Sequence, residues 1–278
     1  MPVKSDYFNS GSLRLHYLRW GNPAGTPVVM LHGLRGFAAT WQSLASELAD
    51  EYCCYALDQR GRGESDWGDM ADYHTDSYVQ DLQAFVDHLG LERLVLVGHS
   101  LGGTNALEFA RRNPQRVMAL VIEDIGPGSS NRGDGAERIR REMKSTPLAF
   151  DSWAEAEAFW RSSRPNLTAD ALSSRLTHSF REKDGRIGWK HDQQGIAEAR
   201  LTIEPIDLWP AVKSVKCPAL LVKGGNSDFL PIDTVNQIIA TNASFTAVVV
   251  DDASHYVHDD QPEQFNDAVV GFIRSITN

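Results

Sequence analysis

Cysteine is scarce in this 278-residue chain: Cys53, Cys54 and Cys217 are all there are, too few for a disulfide framework. Two of them sit in the apolar run Tyr52-Cys53-Cys54-Tyr55-Ala56-Leu57, where buried thiols act as small hydrophobes. This usage points to a reducing compartment, the cytoplasm. No apolar run approaches the ~18 residues of a membrane span, so membrane insertion is not expected. The start, Met1-Pro2-Val3-Lys4-Ser5-Asp6, lacks the apolar stretch of a secretory signal. Positive charge is not in excess either. A net charge of -10 removes the electrostatic footprint of a nucleic-acid or anionic-membrane binder. Internal repeats, low-complexity segments and linkers are missing. What is left is an ordinary globular composition, 42% hydrophobic and 23% charged, with length for one large α/β domain or two small ones.

Strand-like runs alternate with helical patterns along most of the chain. Leu13 to Trp20 alternates like a half-buried strand, and Val28-Val29-Met30-Leu31 is continuous like a central parallel strand. Thr40 is placed to cap a helix from Trp41 to about Leu48, and Cys53 to Leu57 is the next strand. Val79, Leu82, Phe85, Val86 and Leu89 share one helix face at 3.6-residue spacing. Leu94 to Val97 and Val117 to Ile122 are further strands, separated by a helix that Asn113-Pro114 stops. From about Gly126 to Pro205 no strand is evident. Helical pieces take over there, at Gly135–Lys144, Ser152–Arg161, Thr168–Phe180 and Gln193–Leu201. Alternation resumes with the strand Ala219 to Val222, a helix near Ile232 to Ala240, the strand Phe245 to Val250 and a last helix from Pro262 to Ile276. Such repetition predicts a mostly parallel sheet with helices on both faces. It divides the chain into a core of residues 1–125 and 206–278 and an inserted helical cap of residues 126–205.

The most informative stretch is Gly98-His99-Ser100-Leu101-Gly102, lying between a strand and a helix. In that setting a G-x-S-x-G pentapeptide acts as a nucleophile elbow. A serine in so sharp a turn has a strained backbone, and glycines two before and two after it allow strand and helix to approach. The hydroxyl of Ser100 is expected to stand exposed at the sheet edge, facing the first free N–H groups of the next helix. A serine hydroxyl is a weak nucleophile without an adjacent base that a third group orients. His255 fits the base: it follows Val248-Val249-Val250 and precedes the last helix, in the chain order expected of this motif. Its nearest competitor is His258, read as a cap of the same loop.

Taken with His32-Gly33 after the third strand and Asp58-Gln59-Arg60-Gly61-Arg62-Gly63-Glu64-Ser65, these motifs make the chain resemble the α/β-hydrolase family over nearly its whole length. The resemblance implies an eight-stranded, mostly parallel sheet with the cap inserted after the sixth strand. It also implies two backbone oxyanion donors, the N–H groups of Leu34 and Leu101. The Asp58-to-Ser65 loop is read as a structural turn. The acid departs from the family's commonest pattern. Counting back four residues from Pro231 gives Ser227 rather than an aspartate. Asp228 is adjacent, although a shift of one residue turns a side chain elsewhere; it otherwise reads as a helix cap before Pro231. Asp124, ending Val121-Ile122-Glu123-Asp124 beside the elbow strand, is the alternative. The chain resembles a branch containing YbfF-type esterases and an acetamidomethylene-succinate hydrolase, in which the acid lies after the earlier strand and a serine stands at the usual site. The resemblance therefore favours Asp124 as the orienting acid, with Asp228 and Ser227 as alternative or auxiliary residues.

These residues imply a serine hydrolase acting on a small or medium carboxylic ester, with no metal or organic cofactor, as a monomer or homodimer. Amide or carbon–carbon cleavage on the same triad is the alternative, and a ligand-sensing protein with slow incidental hydrolysis is the second. Haloalkane and epoxide hydrolysis are disfavoured, because the resembling enzymes use aspartate where Ser100 stands. The cap should set specificity. Its aromatics Trp153, Phe159, Trp160, Phe180 and Trp189 read as its own core. Arg138, Arg140, Arg141, Arg161, Arg164 and Arg175 read as a solvated face, from which one pointing inward would bind a substrate carboxylate.

Overall fold

Residues two apart along a strand share a face, and the central strands sort their side chains accordingly. In β3 (Thr26–Leu31), Val29 and Leu31 enter one apolar layer while Val28 and Met30 enter the other. The computed structural model describes residues 3–277. β1 (Lys4–Ser10) and β2 (Leu13–Gly21) form a hairpin that precedes β3, β4 (Tyr52–Leu57), β5 (Leu94–His99) and β6 (Val117–Glu123). Three short strands follow, β7 (Ala149–Phe150), β8 (Phe180–Lys183) and β9 (Arg186–Trp189), and then β10 (Ala219–Gly224) and β11 (Phe245–Val250). The main sheet has eight strands in the order β1-β2-β4-β3-β5-β6-β10-β11. β2 is antiparallel to both neighbours, and every other pair is parallel.

Helices bury their apolar stripes on both faces. α1 (Gln42–Leu48) and α11 (Pro262–Thr277) cover one, through Leu44, Leu48, Phe265, Val269 and Ile273. α2 (Thr75–His88) and α3 (Leu101–Arg112) cover the other, with Val79, Leu82, Phe85, Leu107 and Phe109 inward. Thr40 does not cap α1. A 3-10 turn at Ala38–Trp41 precedes that helix, and the Thr40 hydroxyl bonds the His258 ring at 3.0 Å instead.

Between β6 and β10 the chain forms α4 (Gly133–Ser145), α5 (Trp153–Ser163), α6 (Ala169–Ser179) and α7 (Gln193–Thr202). The expectation of no strand in this insert is corrected: β7, β9 and β8 form a three-stranded antiparallel sheet. Its strands are two to four residues long, too short for alternation to register. The signal was the Asp184-Gly185 turn, whose residues both have positive φ as a two-residue hairpin requires. Phe150, Trp160, Phe180 and Trp189 pack together as the insert's own core. The remaining helices return to the main sheet: α8 (Trp209–Ser214), α9 (Ile232–Thr241), and α10 (Val257–Asp260), which precedes α11. Neither α8 nor α10 was evident from the sequence, both being under two turns long.

Ion pairs seat the insert on the core, which corrects the expectation of a solvated face for Arg138, Arg164 and Arg175, while Arg141 and Arg161 are exposed as expected. Arg164, at the end of α5, and Arg175 of α6 both donate to the buried carboxylate of Asp259 in α10. Arg138 of α4 forks onto Asp228 at 2.8 and 2.9 Å, and Arg35 reaches Glu142 of α4 at 2.7 Å. Burial works to raise the Asp259 carboxyl, but the Arg175, His258 and Arg164 charges outweigh it and hold it far below the usual range. Removing one partner of such a cluster strands the others without a counter-charge. Asp259→Asn should therefore destabilise the fold by about 3–5 kcal/mol, measured by urea unfolding at neutral pH.

Candidate active site

β5 and β6 pair in register with His99 opposite Glu123, so the next residues, Ser100 and Asp124, leave adjacent strands at one level. Both take left-handed backbone, φ +52° and +50°. At Ser100 the cause is the turn from β5 into α3, which brings strand and helix into contact. A Cβ on Gly98 would meet the Gly102 carbonyl oxygen at 2.4 Å, and one on Gly102 would meet the Leu31 oxygen at 2.1 Å. The two glycines are required by that approach. The Ser100 N–H donates to the Glu123 carbonyl at 3.0 Å, stitching the elbow to β6.

Ser100, His255 and Asp124 come together as one hydrogen-bonded series. The Ser100 hydroxyl lies 2.9 Å from His255 Nε2, and His255 Nδ1 lies 2.7 Å from Asp124 Oδ2. Asp124 is fully buried. Its carboxylate also accepts the Gly224 N–H at 3.0 Å and the Ser227 hydroxyl. Ser227, four residues before Pro231, thus bonds the Asp124 carboxylate. Asp228 points away toward Arg138, whose charge lowers its carboxyl. It neither reaches His255 nor caps α9, whose start has no side-chain cap.

Surrounding groups hold this series in place. The His255 carbonyl accepts His99 Nε2 at 2.9 Å, and the Phe229 ring lies 4.2 Å from the imidazole. Burial and the facing His255 and His258 hold His99 well below the ordinary histidine range, hence neutral. Sequence reading missed His99 because the motif leaves its position free. His258 is not a base for Ser100. Its Nδ1 lies 2.8 Å from both Glu123 oxygens, with its backbone N–H on the same carboxylate. His99, Glu123 and His258 bring potential metal-ligand atoms within 4.8 Å of one another, but a cation there would displace the His258–Glu123 hydrogen bond. Asp58 accepts His16 Nδ1, the Ala38 N–H and the Glu64 N–H, which makes its loop a structural turn.

Leu34 and Leu101 line the same cavity as Ser100 and His255. Leu101 opens α3, so its N–H is among the first four without a partner in the helix. The loop carrying Leu34 lies against the elbow: a Cβ on Gly33 would meet His99 Nδ1 at 2.5 Å. The cavity measures about 310 Å³, and Ile139 of α4 and Ala199 and Arg200 of α7 also line it. The Ser100 hydroxyl was expected at an open sheet edge. The insert covers that edge, and the residue is 7% exposed.

Residues 28–268 match the Alpha/beta hydrolase family, and the chain belongs to that family. A 2-(acetamidomethylene)succinate hydrolase of Mesorhizobium japonicum is 27% identical over 276 residues, 98% of this chain and 97% of that one. A 3-hydroxybutyrate-oligomer hydrolase of Cupriavidus necator is 27% identical over 261 residues, 88% of each. The crystal structure of an E-2-(acetamidomethylene)succinate hydrolase superposes with a TM-score of 0.89 at 26% identity, covering 98% of this chain and all of that one. No helix among the described residues is long and apolar enough to cross a membrane.

Burial works to lower the His258 imidazole, but the Glu123 and Asp259 carboxylates outweigh it and raise it above its ordinary range. A raised folded-state value stabilises fully below the unfolded value of about 6.5 and is lost as pH rises through the folded one. An NMR titration should find the His258 ring protonated above pH ~6.5, with the His99 ring neutral throughout.

Proposed function

We propose that this α/β hydrolase cleaves a carboxylic ester of a small or medium substrate through an acyl-enzyme on Ser100. The observation that carries the reading is the unbroken series Ser100–His255–Asp124, whose first two members line a cavity. In this reading His255 takes the Ser100 proton as the hydroxyl attacks the carbonyl carbon. The N–H groups of Leu34 and Leu101 receive the oxyanion, an interaction worth about a hundredfold or more in rate for each donor. Asp124 keeps the Nδ1–H tautomer and stabilises the imidazolium, while Ser227 and the Gly224 N–H orient the carboxylate. His255 then protonates the leaving alcohol, and water activated by the same imidazole releases the acid. None of these steps calls for a metal or an organic cofactor. The insert acts as a cap that excludes bulk water and sets substrate size.

The Cupriavidus relative's name supports the ester, since hydroxybutyrate units joined head to tail are esters. The acetamido group in the Mesorhizobium relative's name favours a second reading, amide cleavage, with an amine leaving instead of an alcohol. A matched acetate ester and acetanilide separate the two by which is turned over. With p-nitrophenyl butyrate, Ser100→Ala should lose activity by about 10⁵-fold or more while keeping its circular-dichroism spectrum. Asp124→Asn should lower kcat by about 10³–10⁴-fold, whereas Asp228→Asn should keep most of it. The reverse order would place the acid on the later loop, and a single slow turnover with retained ligand would identify a sensor.

A further inference from the structure

Arg200 lies two residues before the end of α7 and lines the same cavity as Ser100 and His255. It is half-buried, and one guanidinium nitrogen, Nη2, donates to the Ser130 carbonyl. Among the described residues no carboxylate lies within 4.0 Å of it. Arg35, Arg138, Arg164 and Arg175, where the insert meets the core, each hold a carboxylate instead. The cavity's own acids do not supply the missing charge. Asp76 is held by Arg112, and Glu204 is exposed at the rim without an ion pair to Arg200. Arg140, whose Nη2 lies 3.4 Å from the Asn131 carbonyl, is a second arginine without an acidic partner and adds positive charge nearby. Burial and Arg140 push Arg200 down to about 10, so it is still a cation at neutral pH. In a chain of net charge -10, an unpaired guanidinium over the Ser100 cavity is a position for an anion supplied from outside.

We propose that Arg200 is a specificity residue that receives a carboxylate of the substrate, so that the site takes a carboxylate-bearing ester. For the bond cleaved, this rests on the serine-hydrolase reading above. The planar guanidinium has Nε and Nη1 without a protein acceptor, and its fork matches the two oxygens of a carboxylate. Leu34, Ile139, Leu208 and Phe229 line the apolar cavity that Arg200 shares with Ser100. A short methylene chain with an ester at one end and a carboxylate at the other suits those two chemistries.

The test compares monomethyl glutarate with methyl pentanoate, equal in chain length and differing in the terminal charge, by pH-stat hydrolysis. The wild type should favour monomethyl glutarate in kcat/KM. Arg200→Gln should lower that preference about a hundredfold, mainly through KM, as expected when a charge pair loses one partner. Arg200→Lys should fall between them, keeping the charge without the fork. Calorimetry on Ser100→Ala should detect monomethyl glutarate binding that Ser100→Ala with Arg200→Gln lacks. A wild type that prefers methyl pentanoate, or a preference unchanged by Arg200→Gln, overturns the carboxylate role and leaves the hydrolase reading standing. Arg200-dependent binding with no turnover of either ester supports the carboxylate role and overturns the ester reading.

Discussion

A carboxylate with no access to water has to find its hydrogen bonds within the protein, and Asp124 finds them at the ends of two other segments. The Nδ1 of His255 arrives from the loop after β11, while Ser227 and the Gly224 N–H arrive from the end of β10. Those donors converge because β6, β10 and β11 are neighbours in a parallel sheet, with their carboxyl ends on one side. The geometry at Ser100 therefore depends on strand order. His255 reaches the serine only because its other nitrogen is tethered at Asp124, and its backbone is held independently by His99.

Local strain accompanies this arrangement. Ser100 and Asp124 both have positive φ, a conformation that costs roughly 1–3 kcal/mol for such residues and persists only where the surroundings enforce it. The enforcement is visible at Gly98 and Gly102, which bring strand and helix too close for a Cβ, and in the Ser100 N–H bond to Glu123. Glu123 is itself buried against His258. The positions that flank the reacting groups are thus occupied in holding the backbone.

The strands and long helices were legible because their apolar spacing is decided by burial on one or both faces, as in Val28 to Leu31 and in the Val79–Val86 stripe. Asp124 was legible through an absence, the serine at the position where an acid is usual. Elements under two turns or of at most four strand residues escaped, since periodicity needs length; β7, β8, β9, α8 and α10 are the cases, and β1 was not located because it buries little beyond Phe8. Direction escaped as well. Sequence puts Asp228 beside the acid site and Thr40 before a helix, yet tertiary partners, Arg138 and His258, claim both side chains. Arg200 carried no signal at all, because a helix pattern does not say which arginine lacks a partner.

Ser227 and Asp228 are consecutive, yet one turns inward to Asp124 and the other outward to the insert through Arg138. The loop after β10 thus serves the buried Asp124 carboxylate and the insert at once. Its reading frame consequently matters more than its composition. Deleting one residue between Gly224 and Ser227 would slide a hydroxyl out of the interior and aim an aspartate at Asp124, setting two buried carboxylates against each other. One of those two carboxyls would then have to be protonated.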